Sequence, residues 1–158
     1  MTDLLTDPPA PTPADLIHDA IDLMRTTWRV RGDYVIGSML KERYHIREPG
    51  YSFCPVGAIC AVAGDVFIAG VPQCRVPVVQ DTLRWLVTFY RLPRSRPEAE
   101  AGRDDRRMTY LRVVKWADSF TEAQDDELYA ALEAAADAWR PALYPVGGTA
   151  NPLKRRSR

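Results

Sequence analysis

From Gly50 to Gly64 the chain reads GYSFCPVGAICAVAG, without a charged residue. A helix that is small or apolar on every side has no face to offer water, so it must be enclosed by other elements. Pro55 and Gly64 bound that helix. Proline at a first helical position brings a φ that is already helical and lacks only an N–H that the first turn cannot use. Glycine just past the end takes the left-handed conformation that stops the spiral. A helix is therefore predicted over Pro55 to Ala63, with Cys54 near its cap. Gly57 and Ala61, one turn apart, leave room for a neighbouring backbone to approach closely.

The rest of the 158-residue chain has the material to surround it. Hydrophobic residues make up 46% and charged residues 27%, enough for a real core without disulfides or metal. Residues 1–12, rich in proline, aspartate and threonine, read as a loose arm. Thr12 as N-cap, Pro13 at the first helical position and Asp15 in the first turn open an amphipathic helix to about Thr26, with Leu16, Ile17, Ala20, Ile21 and Met24 inward. YVIGSML is short enough to be helix or strand, and RYHIREPG permits a small hairpin. Asp65 to Val76 reads as an irregular or β-like connection. Pro77 opens a third helix, with Val79, Leu83, Leu86 and Tyr90 on one face and Gln80, Asp81, Arg84 and Thr88 on the other. Pro93 to Arg107 is a charged surface loop. Met108, Leu111, Val114 and the aliphatic stem of Lys115 belong to a shorter helix leading into Trp116. In the last helix Thr121 and Gln124 make a capping-box pattern, and Glu122, Asp125, Asp126 and Glu127 complement its positive end. Pro141 ends it, and residues 142–158 form a flexible basic tail. The expected fold is mainly α: a single domain over 13–141, of about five helices around the central one, with room for one small β-hairpin.

Acidic and basic residues balance at 21 each, so no global field points to nucleic acid or membrane. Three cysteines at irregular spacing do not make a disulfide framework. The N-terminus has acids and prolines where an export signal needs basic and apolar runs, and no apolar stretch is long enough to span a bilayer. A cytoplasmic, soluble protein is expected.

Cys54 is the one candidate nucleophile. A helix start favours a thiolate, but the sulfur then needs a histidine as base, and the chain offers only His18 and His45. The competing reading makes Cys54 a small buried residue of a reduced core. No pair among Cys54, Cys60 and Cys74 has the two-residue gap of a zinc site, and no glycine-rich phosphate loop occurs, so neither metal nor cofactor is expected. Asp104-Asp105 and Asp125-Asp126 read as solvated faces. Lys154, Arg155, Arg156 and Arg158 offer weak, salt-sensitive contact with a phosphate backbone. Trp28, Trp85, Trp116 and Trp139 suit the core or its rim, and any that is exposed beside the charged loop becomes a partner-binding anchor.

Two blocks carry a resemblance. Cys54, Gly57, Ala58, Ile59, Ala63 and Gly64 in the pattern C-x-x-G-A-I-x-x-x-A-G, and the later VVKWADSFTEAQDDELYAALEAAAD, resemble a family of small actinobacterial and phage proteins, a domain of unknown function. The resemblance runs over roughly Pro13 to Trp139. It departs at Trp116-Ala117-Asp118, where Trp-Asn-Asp is usual, and at Gly32-Asp33-Tyr34, where a glycine–tryptophan segment is usual. It implies a helical core in a bacterial or phage setting, with Asp118 capping the last helix, which begins at Thr121, and it implies no reaction.

The expectation is a non-enzymatic binding or regulatory module acting through protein–protein contact, self-association included. The alternatives are a Cys54-dependent hydrolase or transferase with His45 or His18 as base, and a nucleic-acid accessory protein that uses the basic tail.

Overall fold

In the computed structural model, which describes residues 9–27, 29–30, 35–36, 52–68, 70–94 and 106–141, the first helix opens on a reciprocal cap. Thr12 Oγ1 accepts from the Asp15 amide at 3.2 Å, and Asp15 Oδ2 accepts from the Thr12 amide at 2.9 Å. Two of the N–H groups that a helix start leaves orphaned are thus satisfied. This helix, α1 (Pro13–Thr27), buries Leu16, Ile17, Ala20, Ile21 and Met24, the predicted stripe.

Helix α2 (Pro55–Val62) is enclosed on every side except near its end, and α1 packs along it. Its stop is built as the sequence predicts. Gly64 sits at φ +71°, its amide donates to Ala61 O at 3.2 Å, and the Asp65 amide donates to Cys60 O at 2.9 Å. That pair of bonds is the Schellman arrangement. Helices α3 (Pro77–Tyr90), α4 (Arg106–Asp118) and α5 (Asp125–Ala138) complete the five helices of the described residues, with a single 3-10 turn, Glu122–Gln124, leading into α5. Helix α1 also packs against α3 and α5, and α4 packs against α2 and α3. The fold is mainly α, as expected.

Strands are minor. β1 (Val35–Ile36) pairs antiparallel with β2 (Ser52–Phe53), so the start of YVIGSML is strand. β3 (Phe67–Ile68) pairs antiparallel with β4 (Val71–Pro72), turning through Gly70 at φ +77°, within the connection read as irregular or β-like. The hairpin expected at RYHIREPG lies outside the described residues, as do Trp28, His45, residues 1–8, most of the charged loop and the basic tail.

Two details depart from the sequence reading, and a third settles a face it left open. Asp81, placed opposite the apolar face of α3, is fully buried with its Oδ1 3.5 Å from Arg84 Nη1. On α4 the inward face is Tyr110, Val113 and Ala117, while Leu111 is 39% exposed, Val114 is half-buried and Lys115 is exposed. The helix has two apolar stripes, and its packing on α2 and α3 buries the one with the small Ala117. The N-cap position before the final helical run belongs to Thr121, whose amide donates to Gln124 Oε1 at 3.0 Å; Asp118 closes α4 instead.

Two charged side chains hold loops to this core. The Arg29 side chain is 1% exposed; its Nε meets Asp125 Oδ1 at 2.5 Å, Nη1 donates to Ala117 O at 3.3 Å, and Nη2 donates to Phe120 O at 2.8 Å and Thr121 O at 3.0 Å. One guanidinium thereby satisfies carbonyls beyond the end of α4 and a carboxylate in the first turn of α5. Asp65 does the reverse: its carboxylate accepts from the amides of Val66 at 2.7 Å, Arg75 at 3.1 Å and Val76 at 3.1 Å, closing the β3–β4 hairpin onto the start of α3.

Candidate functional site

Cys54 occupies the N-cap of α2, and its Sγ accepts from the Gly57 amide at 3.3 Å. The position is the predicted one; its surroundings are core. The residue is 1% exposed between Phe53 and Val56, and burial pushes the thiol up to about 12, against the lowering effect of the Gly57 amide. Desolvation outweighs the helix start here because the sulfur is enclosed in the core, where a thiolate would lose its solvation. A base must stand within hydrogen-bond reach of a thiol it activates. His18 stands at the surface of α1 with Nε2 3.6 Å from Asp137 Oδ1 on α5, and His45 is outside the described residues.

The other cysteines meet each other. Cys60 near the end of α2 and Cys74 in the turn before α3 place their sulfurs 3.6 Å apart, both buried. Their sequence spacing carries no sign of this. Among the described residues no group of three or more His, Cys, Asp or Glu side chains is placed to hold a metal ion.

The described surface opens instead between the end of α3 and α4. Helix α3 ends at Arg91, which takes the left-handed conformation at φ +50° usually left to glycine; its amide donates to Thr88 O at 3.3 Å and the Leu92 amide to Val87 O at 3.0 Å. This turn brings Leu92, Pro93 and Arg94 opposite Leu111, Val114 and Lys115, and Trp116, Asp118 and Ser119 continue the wall on the α4 side. The groove between them has a volume of about 710 Å³. Its lining is mostly apolar, and Arg94, Arg112, Lys115 and Asp118 give it charge.

Behind the groove the wall is stiff. Tyr90 stacks on Trp116 with ring centroids 4.8 Å apart, Phe120 meets the other edge of Trp116 at 5.4 Å, and Phe89 lies between Tyr90 and Trp85. Tyr90 Oη donates to Ala131 O at 2.5 Å and Trp85 Nε1 to Ala135 O at 2.7 Å, so the aromatic row is anchored to α5 at two points. Trp85 and Trp139 are buried, whereas Trp116 is half-buried at the groove. Among the described tryptophans, Trp116 is the one that lines the groove. Of the residues in the resemblance pattern, Gly57, Ala58 and Gly64 build α2 and its stop, and Thr121 starts the last run.

Fold and site together define a small, mainly helical protein with a sealed central helix and an apolar groove along one pair of helices. A family of unknown function, DUF6197, matches residues 8–140, and the chain belongs to that family. No curated protein matches the chain, and neither does any solved structure. Among the described residues no helix is long and apolar enough to cross a membrane.

Proposed function

We propose that the chain is a non-enzymatic binding or regulatory module that engages a protein partner through the groove between α3 and α4. One observation carries this reading. Leu111 on α4 is 39% exposed and lines the groove beside Val114, which is half-buried and also packs against the core, while Tyr110, Val113 and Ala117 are buried inward. An apolar side chain left exposed on such a wall is what a partner's apolar side chains need, and a rigid aromatic wall reduces the ordering cost of binding. The groove is open to solvent, which suits side chains projecting from another protein better than an enclosed small molecule. Lys115, exposed and lining the groove, favours an acidic residue beside those anchors. In the bacterial or phage setting that the resemblance implies, the partner is a host protein, and three free core thiols suit a reducing cytoplasm.

The test is paired affinity capture with the wild-type chain and Leu111→Asp. Because Leu111 is already 39% exposed, the variant should keep its stability to within about 0.5 kcal/mol. The expected result is a reproducible partner bound by the wild type and lost by the folded variant. No reproducible partner, or equal capture by both proteins, contradicts the reading.

A further inference from the structure

We propose that Cys60 and Cys74 form an oxidisable dithiol, a modification site for hydrogen peroxide whose product is a disulfide tying α2 to the turn before α3. The proposal is independent of what the groove binds. Three observations on different parts of the chain meet here. The two sulfurs, 14 residues apart in sequence, lie 3.6 Å from each other, against about 2.05 Å in a disulfide. Cys74 sits at φ +49°, a left-handed conformation that a residue with a Cβ holds only when its surroundings impose it. Those surroundings are present on both sides. The Gln73 amide donates to Val66 O at 2.9 Å, Asp65 accepts from the amides of Arg75 and Val76, and Gln80 Nε2 donates to Cys74 O at 2.9 Å. The turn therefore presents Cys74 to Cys60 in a fixed place.

Access comes from the same region. The β3–β4 hairpin has two-residue strands with Ile68 43% and Val71 38% exposed, so its transient opening is the route we infer for peroxide, and reclosing on the Asp65 clasp restores the contact of the two sulfurs. Cys60 lies within α2, and its hydrogen bond with Cys74, together with burial, raises its ionisation well above the ordinary value. The Cys74 thiolate attacks one peroxide oxygen, the O–O bond breaks, and the departing hydroxide is protonated to water, leaving a sulfenic acid. Cys60 sulfur then attacks the Cys74 sulfur; the S–S bond forms, the S–O bond breaks, and water leaves with the Cys60 proton. In balance the two thiols lose two electrons and two protons, and one peroxide becomes two waters. Cys54, whose sulfur is engaged by the Gly57 amide, is the internal control.

The experiment uses the full reduced chain, folded, exposed to hydrogen peroxide, with remaining thiols then alkylated in denaturant. Trypsin leaves all three cysteines on one peptide, 48–75, and a cut before Asp65 separates Cys74 from the other two. The expected product has lost two hydrogens, joins Cys60 to Cys74, and carries the alkyl group on Cys54 alone. Its thermal midpoint should rise by several degrees and return on reduction. Cys54→Ala should keep the cross-link. A mixture of all three pairings, cross-links through Cys54, over-oxidation without a cross-link, or no reaction under exposure that consumes the thiols of the unfolded chain would each overturn the proposal. The wild-type map decides the matter even if Cys74→Ala fails to fold.

Discussion

Arg29 puts a guanidinium where almost no water reaches it, and it is tolerated because three carbonyls and the Asp125 carboxylate take over the work of solvent. Removing it leaves those groups facing one another. Arg29→Gln should therefore cost about 3 kcal/mol, the low end for a broken buried pair because Asp125 remains 33% exposed, read as a shift in the urea midpoint. The core thiols make a second prediction. Both Cys54 and Cys60 have their ionisation pushed above the ordinary value of 9.0, Cys54 to about 12. Below about pH 9 neither the folded nor the unfolded thiol is charged, and their contribution to stability is fully present. Above it the unfolded chain releases protons that the folded chain keeps. Stability should then fall with rising pH by about 1.4 kcal/mol per pH unit for each thiol, until the folded value is reached. A denaturation midpoint unchanged between pH 9 and 11 would contradict the sealed positions. Reactivity follows the same rule: Cys54 should resist alkylation at neutral pH until the chain unfolds.

At the scale of elements, the two Schellman stops differ in a way that predicts mutations of opposite sign. Gly64 at φ +71° has open space around the position of a Cβ, so Gly64→Ala meets only the conformational penalty, about 1 kcal/mol. Arg91 holds the same conformation with a side chain, and Arg91→Gly should stabilise by about 0.5 kcal/mol after the greater freedom of glycine in the unfolded chain is subtracted. Thermal melts of the two variants should move in opposite directions. These stops also show what a sequence discloses. The caps and the enclosed α2 were legible because proline and glycine act through their own backbones and threonine through a hydroxyl that bonds within one turn. The face of α4 was not, since two apolar stripes are equally periodic and only the helices it meets choose between them. Arg29, Asp65 and the Cys60–Cys74 contact were illegible for a related reason: each joins segments far apart in sequence, and no local spacing encodes a partner 96 or 14 residues away.

For the molecule as a whole, the residue that looked most like chemistry is enclosed, and the opening lies elsewhere. The helix start at Cys54 supplies a cap and a core contact, while the α3–α4 groove joins the exposed Leu111 to a wall anchored on α5. A groove of this build is expected to bind without rearranging, so its affinity should reside in a few anchors such as Leu111 and Trp116. The most direct test places a photo-crosslinking amino acid at Leu111 and, separately, at Asp19, an exposed position on α1, and irradiates both proteins in the cells that make them. One discrete adduct is expected from position 111 and none from position 19. Equal adducts at both positions, or none at position 111, would contradict the binding role of the groove.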